Sequence, residues 1–441
     1  MSSVAGQYIT RSVSLLNRVC AGPSNKKRTI DQGSELSEGS KRKKIHPFFT
    51  KATTTQESDS TSFQWQKPLG VHGTCLHGVN LSPISSNKVA AFDLDGTLIK
   101  NLKGSLWEWW REMVPSRLKE LHNEGFSIII ISNQALKPAA LVNWKRKIES
   151  FAASMSSTPF QLFAATAKDN YRKPMLGMWQ ELTRIYKKDG VEIDKSNSFY
   201  IGDAAGRLYP GGKADFAATD RKWAMNVELP FYTPEEFFLD RPPHANLKLE
   251  GFNVSSLVEL PRIAPTNLPL IPESNQPEIV LFVGYPALGK TTFYREFFEP
   301  LSYKHINQDT LGTRTKCIKA VQEAVENGHS YNTNRDRQTR KYYVDVANRL
   351  KVPIRCFLFA GSMALAWHNN LYRAYNLPPS VREKETQREI LPYLAFTSFK
   401  NNFEEPELSE GFSEIRQVNW SFQGSEEERK YWSMWLQLEG K

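Results

Sequence analysis

The sequence lacks any long apolar run. Its longest purely aliphatic stretch, Ile128 to Ile131, falls far below the roughly 20 residues a bilayer-spanning helix needs, so no membrane span is expected. Cysteine is scarce. Cys20, Cys75, Cys317 and Cys356 are widely separated with no paired spacing, which argues against a disulfide framework or a zinc knuckle and for a reducing compartment. His72, Cys75 and His77 lie close together, yet no fourth spaced ligand completes a zinc set. No coiled-coil repeat is visible, so a monomer is expected. Acid is absent from Met1 to Ile30, where Arg11 and Arg18 accompany Val13, Leu15, Leu16 and Val19; that pattern fits either a mitochondrial presequence or an ordinary Ser-rich tail.

What is present points to a soluble, basic, multidomain chain. Its 441 residues exceed one ordinary core, so two domains and a tail are expected. The 57 Lys and Arg outnumber the 47 Asp and Glu, a formal charge of +10 that suits a polyanionic partner. Residues 1–62 are rich in Ser, Thr, Lys and Gln with few aromatics and are expected to stay disordered. Within them Lys41-Arg42-Lys43-Lys44 is a basic cluster of the nuclear-import type, with a solvated charge run as the alternative. Ile45, Phe48 and Phe49 have the spacing of a sliding-clamp-binding box, although Arg42 stands where that box usually carries Gln. The nucleus is the expected compartment, with the mitochondrion as the second.

Val89 to Phe92 is a short buried-strand pattern that breaks at Asp93-Leu94-Asp95-Gly96-Thr97. Alternation across Leu94 lets Asp93 and Asp95 point the same way, and two carboxylates in one small site suit a nucleophile with an acid/base partner. A helix is expected from Leu106 to Gly125, then a strand from Phe126 to Ile131 running into Ser132-Asn133-Gln134. Further on come a helix from Leu141 to Ala153, a strand from Phe160 to Ala165, Lys173-Pro174 before a helix near Met175, and a strand from Phe199 to Ile201 ending in Gly202-Asp203. Charged and hydroxyl groups at the carboxyl ends of parallel strands lie where open α/β sheets place their chemistry.

Leu260 to Pro277 holds five prolines and little periodicity, which marks a linker. Ile279 to Val283 is then a strand followed by Gly284-Tyr285-Pro286-Ala287-Leu288-Gly289-Lys290-Thr291, a complete phosphate-binding loop. Backbone N–H groups from Gly284 to Gly289 and the Lys290 ammonium suit nucleotide phosphates, and Thr291 suits Mg²⁺. Asp309 stands where a base could take a proton from an acceptor hydroxyl. Arg335, Arg337, Arg340 and Lys341 form a basic stretch suited to a lid over a triphosphate or to a solvated face. Arg355 to Phe359 reads as the next core strand.

The ordered set Asp93/Asp95, Ser132, Lys173 and Asp203 resembles the four motifs of the haloacid dehalogenase superfamily of phosphotransferases. That resemblance implies Asp93 as the nucleophile, Asp95 as the acid and then the base, and Ser132 and Lys173 on the transferring oxygens. It further implies Mg²⁺ held at Asp93, Asp95 and Asp203. Followed by a phosphate-binding-loop kinase, the arrangement resembles the eukaryotic polynucleotide kinase 3′-phosphatases. The likeness extends to YRKPMLGMW (Tyr171 to Trp179), YIGDAAGR (Tyr200 to Arg207), LPFYTPEEFFL (Leu229 to Leu239), NQDTLG (Asn307 to Gly312), CFLF (Cys356 to Phe359) and EGF (Glu410 to Phe412).

The implied fold is α/β: two doubly wound parallel-sheet domains, a haloacid dehalogenase-like phosphatase at 63–260 and a P-loop kinase at 278–441, joined by the linker 261–277 behind the disordered tail. The implied activities are removal of DNA 3′-phosphates and ATP-dependent phosphorylation of 5′-hydroxyls, with Asp309 as the kinase base and Arg340 as the lid arginine. Lys100, Lys103, Trp107, Arg111 and Arg207 are candidates to steer a DNA end, with the tryptophans equally suited to packing.

The chain departs from that family in three ways. No forkhead-associated segment precedes the phosphatase motifs, so phosphopeptide docking is not expected. The stretch from Lys100 to Trp110 is compressed. Gly328 to Asn334 lacks the family's apolar strand and carries Tyr331 in place of its acid. The last departure leaves open a 3′-phosphatase whose kinase half only binds nucleotide or DNA; a bifunctional enzyme on small metabolites is the other alternative.

Overall fold

Val89–Phe92 (β3) is buried at all four positions, as a strand covered on both faces requires. The computed structural model to which it belongs describes residues 62–272, 276–306, 311–326, 330–333, 336–384 and 388–436, without the side chains of 314, 326 and 330–333. The proposed presequence, the basic cluster and the clamp residues Ile45, Phe48 and Phe49 therefore lie outside the described residues. No helix among those described is long and apolar enough to cross a membrane.

Around β3 run Phe63–Trp65 (β1), Cys75–Asn80 (β2), Ser127–Asn133 (β6), Phe160–Ala165 (β7), Phe199–Ile201 (β8) and Phe231–Tyr232 (β9), in the order β1-β2-β7-β6-β3-β8-β9. From β7 to β9 the strands are parallel, and β1 and β2 add an antiparallel edge. Parallel pairing brings the carboxyl ends of β3, β6 and β8 to one edge, so Asp93, Ser132 and Asp203 meet although they are far apart in the chain.

One expectation fails in this half, the helix from Leu106 to Gly125. Trp107 begins no helix. Ile99–Asn101 (β4) and Trp107–Trp109 (β5) form an antiparallel ribbon, and the helix starts at Val114. A two-residue period explains it: Trp107 and Trp109 share one face and pack on Phe151, with ring centroids 5.6 and 5.3 Å away, while Glu108 between them pairs with Lys100. Of the sequence neighbours His72, Cys75 and His77, two are committed elsewhere. Cys75 is buried with its thiol pushed up in pKa by that burial, and His77 Nε2 is bonded to Gln161.

The second sheet comprises Ile263–Ala264 (β10), Ile279–Val283 (β11), Lys304–His305 (β12), Ser330–Thr333 (β13), Ile354–Ala360 (β14) and Glu414–Asn419 (β15), in the order β10-β15-β14-β11-β13-β12. All pairs are parallel except β10 with β15. Contrary to the sequence expectation, a strand does precede Asn334: β13 pairs with both β11 and β12. The ladder is made by main-chain groups, which this polar stretch supplies as well as an apolar one, and Tyr and Thr are themselves strand-favouring. Nor is the proline-rich segment a free tether. Its residues 263–264 form β10, and the buried Arg416 guanidinium donates to the carbonyls of Pro265, Leu268 and Pro269. Leu371, Met434 and Leu436 from this half pack into the same apolar cluster as Met175, Trp179 and Trp223 of the first.

Candidate active sites

Asp93 follows β3 directly and lines a cavity of about 330 Å³ together with Asp95, Ser132, Lys173, Asp203, Phe216 and Asp220. Lys173 is 2% exposed and its ammonium donates to Asp93 Oδ1 (2.6 Å), Asp220 Oδ1 (2.7 Å), the Ile131 carbonyl (2.8 Å) and the Tyr200 hydroxyl (2.9 Å). Asp93 Oδ2 takes no hydrogen bond among the described residues. Asp95 is oriented by two amides: Asn101 donates to Oδ1 at 2.7 Å and Gln134 to Oδ2. Gln134 also donates to Ser132 Oγ at 3.0 Å, so Ser132 keeps its own hydroxyl hydrogen for another acceptor. Gly96 permits the close approach of Asp203: its φ is +89°, and a Cβ there would sit 2.3 Å from Asp203 Oδ2.

Burial and repulsion dominate the electrostatics. Asp93, Asp203 and Asp220 place ligand oxygens within 4.8 Å of one another, against one ammonium, that of Lys173. Burial, then the neighbouring Asp220 and Asp95, outweighs Lys173 and pushes the Asp93 carboxyl up to about 7. Burial, then Asp93 and Asp220, pushes Asp203 up to about 9. Burial opposes the Lys173 charge, but Asp220 and Asp93 more than offset it and raise its pKa. The two shifts agree once the charges are counted: one cation serves three carboxylates, so the ammonium is held while a carboxylate is left over.

A buried excess of carboxylate oxygen is the donor set a hard divalent cation takes, and in that sense the residues fit Mg²⁺. Among the described residues, Asp93 Oδ2 and the Asp203 carboxylate take no hydrogen bond. Both Asp220 oxygens accept hydrogen bonds, from Lys173, Tyr200 and the Ala204 N–H, and both Asp95 oxygens accept from amides, with Asp95 beside the clustered carboxylates rather than among them. Asp220 itself, 47 residues beyond Lys173 in the chain, had no sequence signal separating it from surface acid; only the fold brings it under the ammonium.

The DNA-steering candidates divide. Lys103 and Arg111 are exposed and Lys100 partly so, on or beside the ribbon whose Asn101 touches Asp95. Trp107 packs on Phe151 and donates to Ser150 Oγ, which is the packing role. Arg207 is 7% exposed and donates to Asp215, Glu235 and the Asp203 carbonyl, which ties it to the Asp203 loop. Phe216, unforeseen in the sequence, is an aromatic 77% exposed at the cavity.

In the second half β11 leads into the loop Gly284 to Gly289 and the helix Lys290–Phe297. Gly284 must be glycine, because at φ +148° a Cβ would meet Phe359 Cβ at 2.7 Å. Lys290 Nζ donates to the carbonyls of Gly284 and Tyr285, and Thr291 is exposed at the helix start. Asp309 and Arg335 lie outside the described residues. The other members of the basic stretch, suited by sequence to a lid or to a solvated face, are each ion-paired within the protein. Arg340 is 0% exposed, bidentate to Glu410 at 2.8 and 2.6 Å and bonded to the Glu404 carbonyl; Arg337 pairs with Glu407 and Lys341 with Asp345. Arg373 and Arg388 instead line a cavity of about 200 Å³ with Ala287, Leu288, Gly289 and Trp420. Neither has an ion pair among the described residues, and burial, then Arg388, lowers Arg373 to about 10.

The family model described as polynucleotide kinase 3 phosphatase matches residues 88–238. A bifunctional polynucleotide phosphatase/kinase of Schizosaccharomyces pombe is 33% identical over 94% of this chain and 100% of its own length. A putative bifunctional polynucleotide phosphatase/kinase of Acanthamoeba polyphaga mimivirus is 31% identical over 77% of this chain and 86% of its own. A polynucleotide 3′-phosphatase of Arabidopsis thaliana is 34% identical over 35% of this chain and 24% of its own.

Proposed function

The chain belongs to the bifunctional polynucleotide phosphatase/kinase family, and from that premise we propose that it removes DNA 3′-phosphates at the Asp93 site and phosphorylates 5′-hydroxyls with ATP at the Lys290 loop. The product is an end that a ligase can seal. The observation that carries the phosphatase reading is the state of Asp93, with one oxygen fixed by Lys173 and the other without a hydrogen bond among the described residues, in a cavity shared with Asp95 and Ser132.

Asp93 Oδ2 attacks phosphorus while the bond from phosphorus to the 3′-oxygen breaks, and Asp95 gives its proton to the departing oxygen. Asp95 then takes a proton from a water that attacks the same phosphorus, which releases phosphate and restores Asp93. Lys173 and the Ser132 hydroxyl stabilise the transferring oxygens. When bound, Mg²⁺ supplies charge neutralisation there, with Asp93 and Asp203 to hold it.

In the kinase half the Gly284–Gly289 backbone and Lys290 hold the ATP phosphates, Thr291 is the residue for its Mg²⁺, and Asp309 takes the proton of the 5′-hydroxyl. Arg373 and Arg388 replace Arg340 as the arginines that neutralise the triphosphate. The basic charge of +10 favours DNA as the partner. A nuclear monomer, tethered to a sliding clamp through Ile45, Phe48 and Phe49, completes the reading.

An end-labelled nicked duplex bearing a 3′-phosphate and a 5′-hydroxyl tests it with Mg²⁺ and ATP. Asp93→Asn should lose 3′-dephosphorylation by at least ~10³-fold and keep 5′-phosphorylation, and Lys290→Ala should do the reverse. Dephosphorylation without any 5′-phosphate gain by the wild type would make the second half a binding module, and loss of both would send the search to small phosphorylated metabolites.

A further inference from the structure

The end of the described chain is hydrogen-bonded to one residue beside each site. Trp432 closes the helix Glu426–Trp432, and its Nε1 donates to Asn369 Oδ1 at 2.8 Å. Asn369 Nδ2 in turn donates to the carbonyl of Ala287, inside the phosphate-binding loop, at 3.0 Å. Three residues beyond Trp432, the backbone of Trp435 pairs with one side chain of the phosphatase half: its N–H donates to Asn226 Oδ1 at 2.8 Å and its carbonyl accepts from Asn226 Nδ2 at 2.7 Å. The same Nδ2 donates to the carbonyl of Pro174 at 2.9 Å, the residue directly after Lys173.

Asn226 is 6% exposed, so its amide bonds are shielded from water and costly to leave unmade. On either side of Trp435, Met434 and Leu436 are 8% and 1% exposed and sit in the apolar cluster with Met175 and Trp179, which follow Lys173. The Lys173 backbone has a second anchor, Asn133, whose Oδ1 accepts from its N–H at 2.9 Å and whose Nδ2 donates to its carbonyl at 3.2 Å. Asn133 belongs to the phosphatase sheet. Asn226 is tied to the other half of the molecule.

We propose that Trp432–Leu436 is a strut between the two halves, and that through it Asn226 is a positioning residue for phosphatase catalysis, holding Lys173 over Asp93 with support borrowed from the kinase half. Lys173 spans two carboxylates at 2.6 and 2.7 Å, a geometry that a shift of its loop by a fraction of an ångström would spoil. The inference rests on the phosphatase reading above. Wild-type turnover of a 3′-phosphate tests that reading, and the variants below test the strut alone.

The experiment uses the full chain, with kcat and KM for 3′-dephosphorylation, 5′-kinase rate and melting temperature measured on each protein. Asn226→Ala should lower phosphatase kcat about tenfold at unchanged KM, with the kinase rate within twofold of wild type. Lys430→Ala, which removes only the surface pair to Glu228 across the same junction, should leave kcat alone. Truncation after Ser433 should lower kcat as Asn226→Ala does, and combining the two should add nothing, since both cut one connection. If the truncated chain does not fold, Asn226→Ala against Lys430→Ala decides. Unchanged phosphatase kcat in Asn226→Ala overturns the proposal, as does a parallel fall in both activities with a lowered melting temperature, which marks a merely structural contact.

Discussion

The two halves prepare for phosphate in opposite ways. Around Asp93 the side chains are already committed to one another: Lys173 has four partners and Asp95 two amides. Around Lys290 the binding element is main chain, a glycine loop and a helix start, and the ammonium rests on its own loop's carbonyls. A carboxylate that must strike phosphorus in line gains from rigid placement before substrate arrives. Transfer between two bound substrates gains from a site completed by binding. The first half therefore holds a buried excess of carboxyl groups over cations when no Mg²⁺ is bound, whereas the second keeps Arg373 and Arg388 beside its loop without ion pairs among the described residues.

Asp203→Asn sharpens that contrast most. The amide removes one of three clustered carboxylates, so the variant should lose at least ~10²-fold in 3′-dephosphorylation. It should nevertheless melt a few degrees higher than wild type in Mg²⁺-free, nucleotide-free buffer, because the amide escapes the cost of holding protonated at neutral pH a carboxyl whose pKa burial and Asp93 push up to about 9. Adding Mg²⁺ should raise the melting temperature of the wild type and not of the variant. Thermal denaturation with and without Mg²⁺ checks this; a wild type indifferent to Mg²⁺ would remove that carboxyl excess and with it the comparison.

In the second half the contrast is between two arginines. Arg340→Met should destabilise the protein by ~3–5 kcal/mol, since it strands the buried Glu410 carboxylate, and should leave KM for ATP unchanged in the folded fraction. Arg373→Met should not destabilise the protein, since burial already disfavours the charge it removes, and should raise KM for ATP about tenfold, or ~1.4 kcal/mol. Denaturant unfolding and ATP titration separate the two, and an Arg340→Met protein of normal stability with a raised KM would restore the lid expected from the sequence.

That exchange shows what the sequence made legible. Residues at strand ends could be read because a buried run broken by acid, hydroxyl or glycine marks the edge of a parallel sheet: Asp93, Ser132, Asp203 and Lys290 all sit where the pattern puts them. Side chains that act across long separations could not be read. Asp220, Asn226 and Arg373 lie on helices whose own pattern says only that they are polar, and their roles come from what the sheet order brings beside them. Arg340 is of the same kind, since its partner Glu410 is 70 residues away. The β4-β5 ribbon was legible in principle, in the alternation of Trp107, Glu108 and Trp109, but the longer apolar stretch around it imitated a helix. β13 was missed because a strand with polar side chains has no apolar signature.

Acid should act on the two halves with opposite sign. His368 is 3% exposed on the helix Met363–Tyr375, its Nε2 lies 2.6 Å from the Trp432 carbonyl, and burial lowers its pKa to about 4. The unfolded chain takes up a proton near 6.5, so the stability due to the neutral imidazole is whole above that pH and is lost as pH falls towards 4. Between pH 7 and pH 5 this amounts to ~2 kcal/mol. Asp93 and Asp203, whose folded pKa values are raised, bind protons more readily folded than unfolded, so in Mg²⁺-free protein their contribution grows over the same interval. His368→Gln keeps an N–H donor and removes the titration. Urea unfolding at pH 7 and pH 5 should show the wild type losing ~2 kcal/mol more than this variant, whereas equal losses would mean that the imidazole ionises as freely in the folded chain as in the unfolded one.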